Sequence, residues 1–456
     1  MINPEHPIVK KAMAEEPELF KKPPFVESAE ELSKFGIYIP GKESFPEGFI
    51  KLYPEDFIVE EIDAEGIVRT IDHENVLSHD SAIEGEGETL YATLVKCGLS
   101  TLDAIRDMSA QLSIPEKSIG YAGIKDKYAI TSQRISIRGA SMDAVRNISS
   151  PHYFLKDLSF GKGAISMANL VGNRFSIFVR TNPEEPLESI SSSEEDFFNY
   201  FYLQRFGSPR FINYKWGYEI LKGNYEGAVR SVLFDVEQRE LPFISRLRKE
   251  ASKARSWQDV QKVFEPVLDI MHCESRMLAH LINSPADYKG ALGTVPDQVQ
   301  LWLYGLASLL FNDKISYAIQ KGDRLPHELP FILSFDRADT EIYKNELKSL
   351  GIFPPPFHNL RPFPFIRMAH RTTNVAERAK NIEIRTAPFG TFVSFDLSKG
   401  AYATTFLSHH INIVGDSLPE TMSTERIHGS LLSSNPERAK TIDMFRALEA
   451  KEENES

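Results

Sequence analysis

The sequence predicts an α+β protein in which a mostly helical α/β segment interrupts a sheet domain. Strand-like runs begin with DFIVEEI at residues 56–62 and return with GTFVSFDL at residues 390–397. From about residue 208 to residue 360 the hydrophobic pattern is mostly helical. A chain of 456 residues that passes from strands to helices and back to strands is expected to form two domains, with the helical one inserted into the other.

The first predicted elements place an acidic side chain in the connection between two strands. ETLYATLVKC (residues 88–97) is rich in β-branched and aromatic residues and predicts a strand, and STLDAIRDMSAQL (residues 100–112) has the apolar spacing of a helix. Strand-like runs follow at residues 119–123 and 129–137. The stretch GYAGIKDKY therefore puts Asp126 at the end of a strand, between two lysines.

The remaining elements complete the two-domain pattern. Glycine and acidic residues at positions 79–88 indicate a loop, and GNRFSIFVR at residues 172–180 alternates as a strand does. The longest helix is predicted at residues 296–320, which are apolar on nearly all sides and are therefore expected to be buried. The proline-rich residues 350–365 indicate a connector, and residues 435–456 predict an amphipathic helix that ends in charged residues.

The composition is that of a soluble intracellular protein. Apolar residues make up 42% of the chain and include 30 phenylalanines, which are enough for a large core. There is no run of about 18 or more apolar residues, and the first residues lack the apolar segment of a signal peptide. The expected location is the cytoplasm, and a membrane is not an expected partner.

The sequence contains no motif for a metal or an organic cofactor. Cys97 and Cys273 are far apart, so neither a disulfide framework nor a zinc site built from cysteines is predicted. His272 and His280 lie near Cys273 in HCESRMLAH but complete no ligand spacing. Neither a Walker sequence nor a GxGxxG after a strand occurs. No metal and no cofactor are expected.

Charge is distributed unevenly along the chain. The formal net charge is −12, which by itself argues against a nucleic-acid partner. Residues 117–180 nevertheless hold ten basic side chains against three acidic ones. Such a segment is the electrostatic footprint that binding of a phosphate backbone requires, although a basic patch that pairs with acidic neighbours in the fold would have the same composition.

Asp126 and two other residues each allow two interpretations from local pattern alone. The ammonium groups of Lys125 and Lys127 favour an ionised Asp126, which could act as a nucleophile or a base at neutral pH. A solvated, charge-balanced turn would contain the same residues. Phe175 alternates with its neighbours as a core strand residue does, and Asn173 follows a glycine as a turn former does. The residues alone leave these alternatives open.

Five segments in a fixed order resemble the TruD family of tRNA pseudouridine synthases. GYAGIKDKYAITSQ resembles the family's signature, in which the aspartate after the lysine is the catalytic nucleophile, here Asp126. DFIVEEI resembles the family's N-terminal strand motif, GNRFSIFVR its Asn-x-Phe strand, and NYFYLQRFGSPR (residues 199–210) its N-Y-F-x-x-Q-R-F-G element. FDLSKGAYATTFL resembles the family's strand-to-helix close. These matches run from residue 56 to about residue 407.

The resemblance implies the pseudouridine synthase catalytic fold, a mixed and largely antiparallel sheet flanked by helices and interrupted by a family-specific insertion. The catalytic domain is expected at residues 1–207 plus 361–456, and the inserted domain at residues 208–360. The long insertion resembles the archaeal or eukaryotic branch of the family. Two positions depart from the family pattern, because Tyr128 stands where a histidine is frequent and Ser408 where an arginine is common.

The resemblance also implies an isomerase, a tRNA pseudouridine(13) synthase that converts a uridine in the D-arm of tRNA with Asp126 as the nucleophile. Attack at C1′, attack at C6 and elimination through a glycal remain open. Phe175 would face the flipped base, and Asn173 would bond the base or order the loop. tRNA is the expected partner, and no obligate protein partner is evident. The residues expected to contact RNA are Lys125, Lys127, Asn173, Arg174, Phe175 and Arg205.

Two other classes of protein compete with this interpretation. One is a non-catalytic RNA-binding protein or RNA chaperone on the same scaffold, against which the intact motif residues argue. The other is a glycoside-processing enzyme, which requires a second carboxylate about 5–10 Å from the first. Glu60, Glu61 and Asp63 are the candidates for that carboxylate by sequence.

Overall fold

The computed structural model divides into two compact units. It describes residues 2–76, 87–185, 187, 190, 193–330, 337–367, 369–427 and 435–455. The helical unit comprises Met1–Glu43, Phe198–Ala376 and Gly415–Ser417, and the sheet unit comprises Ser44–Phe197, Glu377–Val414 and Leu418–Ser456. The chain therefore passes from helices to strands, back to helices and again to strands.

The limits of these units differ from the predicted domain limits. Residues 1–43, which the sequence predicts to belong to the catalytic domain, pack with the helices, because Val9 and Ala12 belong to the helical core. Residues 198–207 and 361–376 also fall in the helical unit. The assignment of a catalytic and an inserted domain stays a prediction, since compactness alone does not show which unit performs the chemistry.

Strands dominate the sheet unit, and helices dominate the helical unit. The strands are β1 (Phe25–Val26), β2 (Glu47–Phe49), β3 (Phe57–Asp63), β4 (Thr89–Cys97), β5 (Ile119–Tyr121), β6 (Ile130–Arg138), β7 (Tyr153–Gly161), β8 (Leu170–Thr181), β9 (Glu195–Phe198), β10 (Glu328–Pro330), β11 (Thr372–Asn374), β12 (Ala376–Ala387), β13 (Gly390–Ser398) and β14 (Asn412–Gly415). The α-helices are α1 (Pro7–Glu15), α2 (Ala29–Ser33), α3 (Thr101–Leu112), α4 (Met142–Arg146), α5 (Asn213–Lys222), α6 (Tyr225–Phe234), α7 (Pro242–Ala251), α8 (Trp257–Phe264), α9 (His272–Asn283), α10 (Tyr288–Gly293), α11 (Pro296–Lys321), α12 (Arg337–Ile342), α13 (Lys344–Ser349), α14 (Ala403–Ser408) and α15 (Pro436–Glu455).

The strands of the sheet unit form one mixed sheet around the long strand β8. Their order is β14–β2–β8–β3–β6–β4–β7, while β13 also pairs with β8, β12 with β13, and β5 with β6. β3 is parallel to β6 and β14 is parallel to β2, whereas β8 is antiparallel to β2, β3 and β13. The predicted mixed, largely antiparallel sheet is confirmed.

The two faces of the sheet are covered by different helices. One core contains alternate residues of β4, β6 and β7 together with α3 and α4, and the other contains residues of β3, β6 and β8 together with α15. Arg438 of α15 donates to Ser176 on β8, so Ser176 faces α15. Because side chains alternate along a strand, Asn173 and Phe175 face the other side. This alternation decides which residues of β8 can share a site.

Three helices predicted from the sequence are confirmed. The helices predicted at residues 100–112, 296–320 and 435–456 correspond to α3, α11 and α15. Ser100 caps α3, because its Oγ accepts the backbone N–H of Asp103 at 3.1 Å. The loop predicted at residues 79–88 lies, except for its last two residues, outside the described part of the chain.

The longest helix, α11, runs through the core of the helical unit. It contains 26 residues and is buried along most of its length. The rings of Trp302 on α11 and Trp216 on α5 meet edge-on, with centroids 5.0 Å apart. Gly217 allows this approach, because an added Cβ would lie 2.3 Å from the carbonyl oxygen of Trp302. Across the described residues, no helix combines the length and the apolar character that a membrane span requires.

Candidate active site

Asp126 lies in a loop at an end of the sheet. Residues 122–129, here named the Asp126 loop, join β5 to β6, which pair antiparallel with Gly120 opposite Ser136. The Asp126 side chain is 49% exposed. A ligand can therefore reach this carboxylate from solvent. The loop follows β5, so Asp126 lies at the end of a strand, as the sequence predicts.

The ion pair of Asp126 is made by Lys51, which lies before β3. Nζ of Lys51 is 3.0 Å from Oδ1 of Asp126. The same ammonium lies 3.7 Å from the ring centroid of Phe57, the first residue of β3. Lys51 has a φ of 64°, a left-handed conformation that non-glycine residues seldom adopt. The ammonium is thus held between a carboxylate and an aromatic ring, which restricts the position of the Asp126 side chain.

Lys125 points inward from the Asp126 loop. Its side chain is 6% exposed, and Nζ donates to Oδ1 of Asn173 at 2.7 Å and lies 3.2 Å from Oε2 of Glu61. Glu61 and Asn173 stand opposite each other on β3 and β8. The close ion pair of Asp126 is made by Lys51, because the side chain of residue 125 enters the sheet. Lys125 still attracts the Asp126 carboxylate, but without a direct contact.

Burial acts on both charges of the Lys125–Glu61 pair. It raises the pKa of Glu61 and lowers the pKa of Lys125, because each charged form has lost its water. The attraction between the two groups opposes both shifts. Asn173 therefore contacts the Asp126 loop through Lys125, and this arrangement fits the ordering role that was one of the two predicted for Asn173.

Phe175 is held in an aromatic cluster below the site. Its ring centroid lies 5.6 Å from that of Phe395 in a stacked arrangement and 6.1 Å from that of Phe57 edge-on. Since Phe57 also contacts Lys51, a chain of contacts connects Phe175 to the carboxylate site. Phe175 is packed as a core residue is and is only 8% exposed. Its stacking on a base stays a prediction.

The two arginines predicted to contact RNA each make contacts within their own unit. Arg174 is on the face of β8 that α15 covers, and its guanidinium bonds both carboxylate oxygens of Asp396, at 2.7 and 2.9 Å. Arg205 belongs to the helical unit, where its guanidinium carbon lies 5.0 Å from the ring centroid of Phe201. Their RNA contacts stay predictions, and the geometry of Arg174 favours a structural role.

Much of the basic segment at residues 117–180 is paired within the protein. At least half of its ten basic side chains contact carboxylates or carbonyl oxygens of the sheet unit. These include Lys125, Arg134, Lys156, Arg174 and Arg180. Exposed side chains of the same segment include Lys117, Lys127, Arg138 and Lys162. The number of basic residues in this segment is therefore larger than the number of positive charges that a ligand can reach. Lys127 is exposed and is next to Asp126 in the chain.

Lys51 is not among the site residues that the sequence predicts. This residue stands 75 positions before Asp126, and no local pattern connects the two. The connecting fact is the parallel pairing of β3 with β6, in which Ile58 is opposite Ile130. Segments that precede parallel neighbouring strands meet at one edge of a sheet, so a lysine just before β3 comes close to the loop just before β6.

The candidate second carboxylates of a glycoside-processing site are all engaged by cations. Glu60 accepts a hydrogen bond from Arg438 at 2.6 Å, Glu61 pairs with Lys125, and Asp63 accepts hydrogen bonds from two arginines. A retaining glycosidase needs a nucleophile and a second carboxyl group that both reach the substrate. All three side chains are buried as well as paired, so none of them is open to a substrate in this structure.

No metal centre is formed by the residues that the structure describes. Nowhere in that part of the chain do three or more His, Cys, Asp or Glu side chains group as metal ligands would. In the segment HCESRMLAH, His280 bonds Asp287 at 2.9 Å, and burial raises the pKa of Cys273 to about 12. The segment is thus part of the packing of α9.

The fold and the site define a protein with a solvent-accessible carboxylate at the end of a mixed sheet, and known proteins are similar to this chain in sequence and fold. The family model of tRNA pseudouridine synthase D (TruD) matches residues 37–330. "Probable tRNA pseudouridine synthase D 1" of Methanocaldococcus jannaschii is 29% identical over 287 residues, which cover 61% of this chain and 71% of that protein. A relative of the same type from Methanococcus aeolicus is 27% identical over 399 residues, which cover 80% of this chain and 96% of the relative.

A solved structure shares the fold. The crystal structure of a Methanosarcina mazei protein assigned as tRNA pseudouridine synthase D superposes with a TM-score of 0.65 at 23% identity, and the match covers 83% of this chain and 97% of that one. The chain belongs to the tRNA pseudouridine synthase D (TruD) family. The family resemblance predicted from the five motifs is confirmed.

Proposed function

We propose that this chain isomerises a uridine of tRNA to pseudouridine and that Asp126 is the nucleophile. The observation that carries the proposal is the half-exposed carboxylate of Asp126, paired with Lys51 at 3.0 Å on a loop whose inner side is closed by Lys125. Membership of the family supports the substrate, because the relatives are named for tRNA pseudouridine synthesis. The proposed target is uridine 13 of the D-arm, and the proposed location is the cytoplasm with its pool of tRNA.

The reaction exchanges one glycosidic bond for another without a change in oxidation state. The N1–C1′ bond breaks, a C5–C1′ bond forms, C5 releases a proton and N1 acquires one, so atoms and electrons balance. A carboxylate supports each of the three routes, by attacking C1′, by attacking C6 or by assisting elimination to a glycal. All three need Asp126 in its ionised form, and the ammonium of Lys51 compensates that charge. Retaining glycosidases also use a carboxylate at an anomeric carbon.

The target base has to leave its stack to reach Asp126. Extrusion costs roughly a few kcal/mol, and stacking on an aromatic ring returns about 1–3 kcal/mol. Phe175 is the proposed stacking partner. Because Oδ1 of Asn173 accepts a hydrogen bond from Lys125, the amide NH₂ of Asn173 is the group proposed to bond a uracil carbonyl. Lys125 would then orient the side chain of Asn173 and neutralise the negative charge of Glu61.

The phosphates around the target need exposed cations, and Lys127 is the first candidate. It is exposed and adjacent to Asp126, and the basic segment has further exposed members. Affinity for tRNA is therefore expected to fall steeply with salt. The proposed catalytic domain is residues 1–207 plus 361–456, and the proposed inserted domain is the helical residues 208–360. The inserted domain and Arg205 are proposed to recognise the folded shape of tRNA.

The test is to incubate the purified full chain with an unmodified tRNA transcript and to map pseudouridine by chemical labelling and primer extension. The wild type is expected to give one strong signal at position 13, and Asp126→Asn is expected to give none. Asp143→Asn is the matched control, because Asp143 is an exposed carboxylate of the same unit in the first turn of α4. A transcript with cytidine at position 13 tests the target.

Each part of the proposal has its own contradicting result. Product formed by Asp126→Asn at the wild-type rate would contradict the nucleophile. Product at another uridine, with position 13 unmodified, would contradict the target only. Binding of tRNA by the wild type without any product would favour the non-catalytic RNA-binding alternative.

A further inference from the structure

The Asp126 loop rests on buried polar side chains that the proposed mechanism does not use. Residues 123–126 lie between β5 and β6, outside any helix or strand. Backbone N–H and C=O groups in such a segment need partners when they turn toward the protein interior. Side chains from β4, α3 and β6 supply these partners.

Gln133 of β6 holds the beginning of this segment. Its side chain is completely buried, and Nε2 donates to the carbonyl oxygen of Gly123 at 3.0 Å. Oε1 of the same carboxamide accepts a hydrogen bond from Oγ1 of Thr101 at 3.0 Å. Gln133 is therefore bonded at both ends, which fixes its orientation.

Thr101, the first residue of α3, holds the residue before Asp126. It is completely buried, and Oγ1 accepts the backbone N–H of Lys125 at 3.0 Å while its own hydroxyl proton goes to Gln133. The Thr101 hydroxyl thus links the loop to Gln133, because it accepts a hydrogen bond from the loop backbone and donates one to the glutamine side chain.

Lys96 of β4 holds Asp126 itself. Its side chain is completely buried, and Nζ donates to the carbonyl oxygen of Asp126 at 2.7 Å and to that of Leu99 at 2.8 Å. Burial lowers the pKa of Lys96 to about 8, and the nearby Asp126 carboxylate opposes that shift. A buried ammonium is costly unless it is well bonded, so the two carbonyl oxygens are specific partners for it.

We infer that Lys96, Thr101 and Gln133 are positioning residues that fix the backbone on both sides of the Asp126 Cα and thereby aim its carboxylate at the substrate. The bond from Thr101 holds the N–H of Lys125, and the bond from Lys96 holds the C=O of Asp126. None of the three forms a hydrogen bond with the carboxylate in these contacts. Thr101 and Gln133 therefore act through the backbone, whereas Lys96 also attracts the carboxylate through its charge. The inference rests on the proposed function of Asp126.

A general packing role would predict a different response to substitution. Packing depends on the volume of a side chain, whereas positioning depends on the hydroxyl, amide or ammonium that makes the bond. Threonine at position 101 separates the two, because valine keeps its shape without the hydroxyl and serine keeps the hydroxyl without the methyl group. Thr93 is a matched control, since it is a buried threonine on β4 whose hydroxyl has no hydrogen-bond partner among the described residues.

The first measurement is the single-turnover rate on unmodified tRNA together with the Kd for tRNA. We expect Thr101→Val to lower the rate about tenfold or more and to change Kd by less than about twofold, because a small misplacement of a reacting group affects the chemical step most. Thr101→Ser should recover most of the loss, and Thr93→Val should keep the wild-type rate. Lys96→Met should lower the rate further, and the Thr101 pair decides the question if that variant does not fold.

The second measurement needs no RNA. Amide hydrogen exchange of a peptide covering residues 122–129 should be faster in Thr101→Val than in the wild type, Thr101→Ser or Thr93→Val. A Thr101→Val variant with the wild-type rate and unchanged exchange overturns the inference. So does a loss of rate that serine does not recover or that Thr93→Val shares, because either result indicates packing. Failure of the proposed function is recognised separately, since the wild type would then make no pseudouridine while exchange still distinguished valine from serine.

Discussion

Two buried polar networks, one in each unit, differ in what they hold. In the sheet unit, Lys96, Thr101 and Gln133 bond the backbone of an exposed loop. In the helical unit, Arg210 and Arg248 bond buried carboxylates and the end of a helix. Both networks contain charge and exclude water, yet only the first ends at a carboxylate that solvent reaches. Burial of charge by itself therefore does not mark a candidate site, whereas a buried network that holds a loop with a solvent-exposed carboxylate does.

The network of the helical unit closes within the core. Arg248 is 2% exposed, and its guanidinium donates to Glu240, to Glu274 and to the carbonyl oxygen of Val232 near the end of α6. Carbonyl groups at the end of a helix have no partner within the helix, so the arginine acts as a cap. Arg210 shares Glu274 and Val232, and burial together with the charge of Arg248 lowers its pKa to about 10. This network pairs the buried charges of its unit with one another and with the end of a helix.

The largest predicted effect comes from breaking this second network. Arg248→Met should lower the free energy of unfolding by about 3–5 kcal/mol, because Glu240 and Glu274 would stay buried with only Arg210 to pair with them. Urea unfolding followed by tryptophan fluorescence measures the change in this unit specifically. All three tryptophans of the chain lie in the helical unit, at Trp216, Trp257 and Trp302.

The matched control for this prediction is Arg246→Met on the same helix. Arg246 pairs with Glu16 at 2.7 Å, but both side chains are partly exposed, so the variant should lose less than about 1 kcal/mol. The rate of pseudouridine formation per folded molecule should be unchanged in both variants. Two results would contradict this difference between the networks. One is an equal loss of stability in Arg248→Met and Arg246→Met, and the other is a lower rate of pseudouridine formation in folded Arg248→Met.

The next largest effect comes from removing the cation that faces the Asp126 carboxylate. Lys51→Met should lower the single-turnover rate about tenfold to a hundredfold, because the carboxylate loses both its charge partner and the contact that restricts its position. Lys51→Arg should keep part of the rate, since it keeps the charge. The unfolding midpoint of the helical unit should not move.

The control for Lys51 is another ion pair of the sheet unit. Arg378 pairs with Asp196 at 2.6 Å, and both side chains are exposed. Arg378→Met should keep the wild-type rate. If Lys51→Met were as active as Arg378→Met, the contact at 3.0 Å would be an ordinary surface ion pair.

The Asp126 loop is predictable from sequence, and its surroundings are not. Alternation in residues 129–137 and the glycine before Asp126 act over a few positions, so local pattern reveals the strand and the turn. Lys51 and Lys96 come close to the loop only because β3 and β4 both pair with β6. Such pairings join residues far apart in the chain, and a single sequence does not contain them in any local pattern.

Strand β12 shows the same limit in the fold. Its sequence, AERAKNIEIRTA, is mostly polar and its residues are mostly exposed, so no hydrophobic alternation predicts a strand. It becomes a strand because it pairs with the apolar β13, with Ile384 opposite Val393. Where the partner strand supplies the driving force, the sequence of the segment itself is a poor guide.

The smallest predicted effect separates two cations that look equivalent in the sequence. Lys127 is exposed beside Asp126, whereas Arg174 is bonded twice to Asp396. Lys127→Gln should weaken tRNA binding modestly and reduce the slope of log Kd against log salt by about one. The reason is that the variant makes one phosphate contact fewer, so binding releases fewer counterions. Arg174→Gln should leave the slope unchanged, since its charge is already neutralised within the protein. Filter binding at several salt concentrations gives both slopes. An equal reduction in both variants would mean that Arg174 leaves Asp396 for a phosphate, so that the pairing within the free protein does not determine which cations tRNA can use.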